Sequence, residues 1–122
     1  MKTVSDRFLT YVKHHTTSDE DSASFPSTKT QLDFAAFLAA ECNAIGLKDV
    51  TVDQYGYVTA TLPGSAINSP TIAFIAHMDT SPAVTDTNVN PRIVEQYDGK
   101  DIVLNKEQNI VMKVSDFPEL SK

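Results

Sequence analysis

The residues with the clearest chemical potential are His77 and Asp79, which follow an apolar run at residues 71–76 (TIAFIA). A short continuous apolar run of this length predicts a fully buried β-strand. Because side chains alternate faces along a strand, an imidazole and a carboxylate two residues apart can point to the same side. A histidine bound to a metal commonly donates its other ring N–H to a nearby carboxylate. The pair therefore indicates part of a metal site at a strand end.

The His-x-Asp pattern alone is also compatible with a structural role. A histidine near a strand end is more often hydrogen-bonded within the fold than bound to a metal, and the tripeptide is common. The apolar run before the pair and the Thr-Ser-Pro turn after it (residues 80–82) favour the functional interpretation. Structural roles are expected for the other candidates: His14 and His15 at a helix end, Cys42 on an apolar helix face, acidic residues 19–21 in a loop, and Ser81.

The bulk composition is that of a globular protein and argues against several classes of function. The 122 residues are 41% hydrophobic and 21% charged, with a formal net charge of −6. An acidic chain without a cluster of Lys and Arg is unsuited to nucleic acid. No stretch approaches the roughly 20 apolar residues that span a bilayer, and no hydrophobic signal peptide is recognisable. We therefore expect a cytoplasmic protein without a membrane partner, and the single cysteine agrees with a reducing compartment.

Two helices are predicted upstream of the apolar run. Thr3 and Asp6 have capping-box spacing, and apolar residues then recur at helical spacing, which predicts an amphipathic helix over residues 4–15. A second helix begins near residues 26–28 and presents a broad apolar face. Gly46 is suited to end it, because glycine readily adopts the left-handed conformation found just after many helices.

Short strand-like segments complete the pattern. Residues 50–52 and 57–62 flank a turn at residues 53–56 and predict a hairpin. Residues 16–24 and 81–91 are rich in small polar residues and predict solvated loops. Further short strands are predicted at residues 93–94, 102–104 and 110–112. The order of helix, helix, hairpin and buried strand predicts an α/β fold, with a mixed β-sheet flanked by helices.

Taken together, these segments resemble the peptidase T family of dinuclear zinc aminopeptidases over nearly the whole chain. The resemblance lies in residues 7–12 (RFLTYV), 26–28 (PST), 74–82 (FIAHMDTSP), 88–91 (NVNP), 93–95 (IVE) and 97–99 (YDG). His-x-Asp alone is shared with the wider superfamily, including its carboxypeptidase and deacylase relatives. The segments from residue 88 onward favour the peptidase T family.

The resemblance implies an aminopeptidase that releases the N-terminal residue from tripeptides, with two zinc ions in the complete site. It implies that His77 is a ligand to one zinc and that Asp79 is the catalytic carboxylate that orients this ligand. It also implies that residues 1–122 are the N-terminal part of a zinc-peptidase catalytic domain. The family's bridging aspartate, glutamate general base, remaining ligands and smaller second domain have no counterpart here. We therefore expect the chain to be inactive alone.

Two alternatives remain open. One is a non-catalytic domain that self-associates into a homo-oligomer through an uncovered sheet surface, because exposed apolar patches and unpaired strand edges commonly form interfaces. The other is a sister zinc exopeptidase or deacylase of the same superfamily, against which residues 88–91 argue.

Overall fold

The computed structural model describes residues 2–122, which divide into two compact units. The first unit extends to Pro91 and the second comprises Arg92–Lys122. The first contains helices α1 (Val4–Tyr11) and α2 (Lys29–Ala44) and strands β1 (Lys48–Val52) and β2 (Val58–Thr61). The second contains strands β3 (Ile102–Asn105) and β4 (Ile110–Met112) and a turn of 3₁₀ helix at Pro118–Ser121. Along residues 2–122, no helix combines the length and apolar character required to cross a membrane.

Helix α1 begins where the sequence predicts and ends earlier. The backbone N–H of Thr3 donates to the Asp6 carboxylate at 2.8 Å, and the backbone N–H of Asp6 donates to the Thr3 hydroxyl at 3.1 Å. This reciprocal pair is the predicted capping box. The helix ends at Tyr11, so its predicted extension to His15 is wrong. His14 and His15 lie beyond the helix, where their rings make tertiary contacts instead.

Helix α2 ends at the predicted glycine. Gly46 has a φ of +91°, which glycine adopts without the steric penalty of a side chain. Its N–H donates to the carbonyl of Asn43 at 3.0 Å, and the N–H of Leu47 donates to the carbonyl of Cys42 at 3.1 Å. These two bonds form a Schellman motif, which satisfies carbonyl groups that the helix itself leaves unpaired.

The predicted hairpin is confirmed as the antiparallel pair β1–β2, against which α2 packs. The turn is stabilised by Asp53, whose carboxylate accepts the backbone N–H groups of Tyr55 and Tyr57, each at 2.9 Å. Gly56 is buried under the helix with a φ of +86°, and a Cβ at this position would lie 3.3 Å from the side chain of Leu32. A larger residue at Gly56 would therefore strain the turn, because side chains disfavour a positive φ, and would require the Leu32 side chain to shift slightly.

The prediction that residues 71–76 form a buried strand is wrong among the residues that the structure describes. These residues form no strand and pair with no other segment of residues 2–122, and Phe74 and Ile75 are 95% and 96% exposed. A strand is stable only where neighbouring strands satisfy its backbone groups, and none is present beside this run. The two sheets are separate two-stranded antiparallel pairs. The predicted combination of helices and strands is confirmed, whereas a single mixed sheet does not form among these residues.

The second unit is organised around the antiparallel pair β3–β4. Ile102 lies opposite Met112 and Val103 lies opposite Val111, which confirms the strands predicted at residues 102–104 and 110–112. Residues 93–94 lie outside any strand, so that prediction is wrong. No strand among residues 2–122 pairs with them, and their apolar side chains are exposed.

An aromatic cluster joins the end of α1 to the buried face of α2. The ring of Tyr11 meets the rings of Phe34 and Phe37 edge-on, with centroids 5.7 and 6.0 Å away. The His14 ring lies 4.8 Å from Phe34 and 4.5 Å from Phe37. His14 is therefore a packing residue, held against α2 by two aromatic contacts beyond the end of α1.

One hydrogen bond extends the cluster to the far end of α2. The Tyr11 hydroxyl donates to the carboxylate of Glu41, which also lies 3.5 Å from Nε of Arg7. Burial raises the pKa of Tyr11 to about 12, and the hydrogen bond and negative charge of Glu41 act in the same direction. The folded chain therefore favours the neutral phenol.

We expect Tyr11→Phe to lower the free energy of unfolding by about 1 to 2 kcal/mol, because the charge-assisted hydrogen bond to Glu41 is lost. The contribution of the hydroxyl is complete below its ordinary pKa of 10 and declines as pH rises towards about 12. Urea unfolding monitored by circular dichroism between pH 7 and pH 11.5 should therefore show the two proteins converging at alkaline pH.

The matched control is Tyr57→Phe, which removes the same atom from a side chain that is 70% exposed. This variant should keep wild-type stability. An equal loss in both variants, or a Tyr11→Phe deficit that does not change with pH, would contradict the assigned hydrogen bond.

Candidate functional site

The structure brings together the two side chains singled out from the sequence. Nδ1 of His77 lies 3.0 Å from Oδ1 of Asp79, which is a hydrogen bond when the ring carries its proton on Nδ1. The imidazole is 84% exposed and the carboxylate is half-buried. The bond engages Nδ1, and the lone pair of Nε2 points away from Asp79. This arrangement is typical of a metal-binding histidine.

His77 and Asp79 can supply one ligand of a zinc site, but not the three or four ligands that such a site needs. Zinc in proteins is held by three or four ligands drawn from Cys, His, Asp and Glu. Within residues 2–122, no three such side chains are grouped closely enough to hold a metal ion. His77 and Asp79 together fit one ligand and its orienting carboxylate. The metal-binding role of His77 stays a prediction.

The pair is anchored on its downstream side through Thr80. The N–H of Thr80 donates to the carbonyl of Thr16 at 3.3 Å, and the carbonyl of Thr80 accepts the N–H of Ser18 at 3.0 Å. These bonds form a parallel bridge between Thr17 and Thr80. Because Thr80 directly follows Asp79, the bridge fixes one end of the segment that carries the pair.

The bridge is closed by a buried carboxylate that the sequence analysis overlooked. Oδ2 of Asp86 accepts the backbone N–H of Thr16 at 2.6 Å, the N–H of Thr17 at 3.0 Å and the hydroxyl of Thr80 at 2.9 Å. Its other oxygen contacts Nδ1 of His15. Asp86 therefore joins both segments of the bridge at one point. We call these contacts of the Asp86 carboxylate with His15, Thr16, Thr17 and Thr80 the Asp86 junction.

The electrostatics of the junction favour an ionised Asp86. Burial alone would raise the pKa of its carboxyl. The hydrogen bonds from Thr17, Thr16, Thr80 and His15 outweigh burial and hold the pKa well below its usual value. These donors replace the water that the carboxylate loses, so the charge is retained in a site that is 9% exposed.

The junction corrects the prediction of solvated loops at residues 16–24 and 81–91. Both segments lack regular secondary structure, as expected, but Thr16 and Asp86 are buried where the two meet.

A sequence signal for the role of Asp86 was available, because Asp86 is the only acidic residue between positions 81 and 91. A lone acid among small hydroxylated and apolar residues is suited to accept backbone N–H groups in an irregular segment.

The junction is also tied to α2. The hydroxyl of Thr28, the residue before the helix, donates to the carbonyl of Thr17 at 3.0 Å. The upstream side of the pair has no comparable support, because residues 71–76 pair with no described segment. The position of His77 therefore depends on contacts that reach it from residue 80.

Known proteins are similar to this chain along nearly its whole length. It is 61% identical over 121 residues to the Peptidase T of Clostridium botulinum strain Hall and 56% identical over 123 residues to that of Halothermothrix orenii. These alignments cover 98% and 100% of the chain, and the chain spans 30% of the length of each relative. No protein-family profile matches it. The predicted resemblance to the peptidase T family is confirmed.

We expect Asp86→Asn to lower the free energy of unfolding at pH 7 by about 1 to 3 kcal/mol, because hydrogen bonds to a buried charge are lost. The pKa of Asp86 is lower in the folded chain than its ordinary value of 3.8. Its contribution is therefore complete above that pH and declines as the pH falls below it. Urea unfolding at pH values from 7 to 2.5 should show the variant and the wild type converging in acid.

The control is Asp33→Asn on the exposed face of α2, which should follow the wild-type curve. A stability difference between Asp86→Asn and wild type that stays constant from pH 7 to pH 2.5 would contradict a lowered pKa at Asp86.

Proposed function

We propose that this chain is part of a zinc-dependent aminopeptidase that releases the N-terminal residue from tripeptides. The proposal is supported by the combination of a sequence similarity and a hydrogen bond. The chain is 61% identical to a Peptidase T, and its His-x-Asp motif forms the hydrogen bond expected of a zinc ligand and its orienting carboxylate. The peptidase function is supported by the names of the relatives, and the zinc dependence by the geometry of the pair.

In this proposal His77 binds one of two zinc ions through Nε2, while Asp79 holds the ring in the required tautomer. A carboxylate in this position also raises the basicity of the ligating nitrogen. When bound in such a site, zinc lowers the pKa of a water molecule to about 7 and polarises the scissile carbonyl. The remaining ligands and the general base would be supplied by other parts of the complete enzyme.

The proposal extends to the fold and to the cellular setting. The unpaired apolar run at residues 71–76 has the composition of a buried strand, and we propose that it joins a mixed sheet flanked by helices in the complete catalytic domain. Burial of its side chains would then rigidify the upstream side of His77, which the described residues leave unsupported. We place the enzyme in the cytoplasm.

A chimera tests the proposal directly. The segment of the Clostridium botulinum Peptidase T that matches this chain is replaced by residues 1–122, and hydrolysis of a tripeptide and zinc content are measured. We expect the chimera to be active and His77→Ala to reduce kcat/KM by at least about 100-fold, with loss of bound zinc. Asp79→Asn should reduce kcat/KM by about 10- to 100-fold, because the ligand remains but its orientation is weakened.

The matched control is Asp98→Asn, which disrupts another pair two residues apart, since Asp98 lies 2.8 Å from Nζ of Lys100. This variant should keep the activity of the chimera. The unfused chain should be inactive, because its described residues supply one ligand. Full activity and full zinc content in the His77→Ala chimera would refute the proposed role of His77.

Self-association is a second candidate function, favoured by the exposure of Phe74 and Ile75 within an unpaired segment. A second copy could pair with the open backbone groups and cover both side chains. The proposed product is a non-catalytic homo-oligomer formed through residues 71–76.

If this candidate is correct, sedimentation and light scattering will show concentration-dependent association of the 122-residue chain. Phe74→Lys combined with Ile75→Lys should weaken it by at least about tenfold, because two large apolar side chains are no longer buried. Ile67→Lys, at a residue that is 93% exposed and outside the run, serves as the control and should associate like wild type. A monomer at all concentrations would exclude this candidate.

A further inference from the structure

We propose that Asp86 is a positioning residue for the His77–Asp79 pair. By locking Thr80 to residues 16–17, its carboxylate determines where the pair lies and how its hydrogen bond is oriented. This inference rests on the proposed function in one respect, namely that the pair is the functional one. Its argument and its test involve neither metal nor substrate.

Three hydrogen-bond donors converge on one oxygen atom of Asp86. Oδ2 of Asp86 accepts from two backbone amides, those of Thr16 and Thr17, and from the hydroxyl of Thr80. The two amides belong to one segment, 70 and 69 residues before Asp86 in the sequence, and the hydroxyl belongs to another, 6 residues before it. Bonds to an ionised acceptor are about twice as strong as those between neutral groups. The junction therefore holds the two segments in one register.

Thr80 directly follows Asp79 and is held in two ways. Its backbone N–H and carbonyl bond to Thr16 and Ser18 in the parallel bridge, and its hydroxyl donates to Asp86 at the junction. The next turn is local, with the Ser81 hydroxyl accepting the N–H of Ala83 at 3.2 Å. The segment before His77 pairs with no described residue. Without the junction, Thr80 would keep its backbone bonds to Thr16 and Ser18, but the carboxylate that holds the amides of Thr16 and Thr17 against the Thr80 hydroxyl would be lost, and with it the fixed register of the two segments.

The junction is itself anchored to helix α2 and to the aromatic cluster. The carbonyl of Thr17 accepts the hydroxyl of Thr28 at the start of α2, and α2 packs on the β1–β2 hairpin. His15, on the other oxygen of Asp86, follows directly after His14 in the aromatic cluster. The carboxylate thus connects the exposed His77–Asp79 motif to the packed part of the unit.

The test is nuclear magnetic resonance of the metal-free 122-residue chain, with nitrogen shifts reporting the tautomer of His77 and hydrogen exchange reporting the Thr80 amide. In wild type at pH 8, we expect the proton to reside on Nδ1, because that nitrogen donates to Asp79. In Asp86→Ala, the Nδ1–H preference should be lost. The Thr80 amide should exchange about 10- to 100-fold faster, as expected when hydrogen bonds to a charged group are removed.

A pair of substitutions at Thr80 keeps the test decisive even if Asp86→Ala does not fold. Thr80→Ser retains the hydroxyl that Asp86 accepts, so it should keep the wild-type tautomer and exchange rate. Thr80→Val keeps the shape of the side chain but removes the hydroxyl, so it should reproduce the losses expected of Asp86→Ala.

The matched control is Asp53→Ala, which also removes a carboxylate that accepts two backbone N–H groups. That carboxylate lies in the β1–β2 turn, so the variant should leave His77 and Thr80 unchanged. The inference is overturned if folded Asp86→Ala or Thr80→Val keeps the wild-type His77 tautomer, or if Asp53→Ala alters it equally. An inactive chimera with a normal His77 response would instead refute the proposed peptidase function alone.

Discussion

The buried carboxylate of Asp86 is the contact on which the geometry around His77 depends. A carboxylate removed from water is costly unless other donors replace the water. Here two backbone amides and a hydroxyl converge on a single oxygen. Among residues 2–122, the buried apolar residues are Phe34 and Ala35. With so small a core, polar contacts of this kind carry tertiary organisation that packing supplies elsewhere, and each of them must be well satisfied.

Features that are determined within a few residues could be predicted from the sequence. The capping box of Thr3 and Asp6 and the helix end at Gly46 each depend on atoms separated by three to five positions. The same holds for the hairpin turn around Asp53. The nearness of His77 and Asp79 belongs to this class, because two residues of separation bring the two groups within reach, whereas the orientation of their hydrogen bond depends on how the segment is held. Local geometry therefore made the candidate pair predictable.

Features that need a distant partner could not be predicted in the same way. The apolar composition of residues 71–76 indicates burial, but burial of a strand requires neighbours that pair with its backbone, and composition does not say whether they are present. Asp86 illustrates the reverse case. Its side chain is buried because Thr16 lies beside it in space, although 70 residues separate them in sequence. Nothing within the loop at residues 81–91 specifies that partner.

The candidate site depends both on features determined within a few residues and on features that need a distant partner. The hydrogen bond to Asp79 selects which ring nitrogen of His77 is available, and the closeness of the two residues in sequence is the local part of this arrangement. Where that nitrogen points in the fold is a non-local property, since it is transmitted from α2 through Thr17 and Asp86 to Thr80. An exposed imidazole gains little from its own contacts with the protein. Its usefulness as a ligand therefore depends on how rigidly the neighbouring segment is held, because a metal site tolerates little error in the direction of a donor atom.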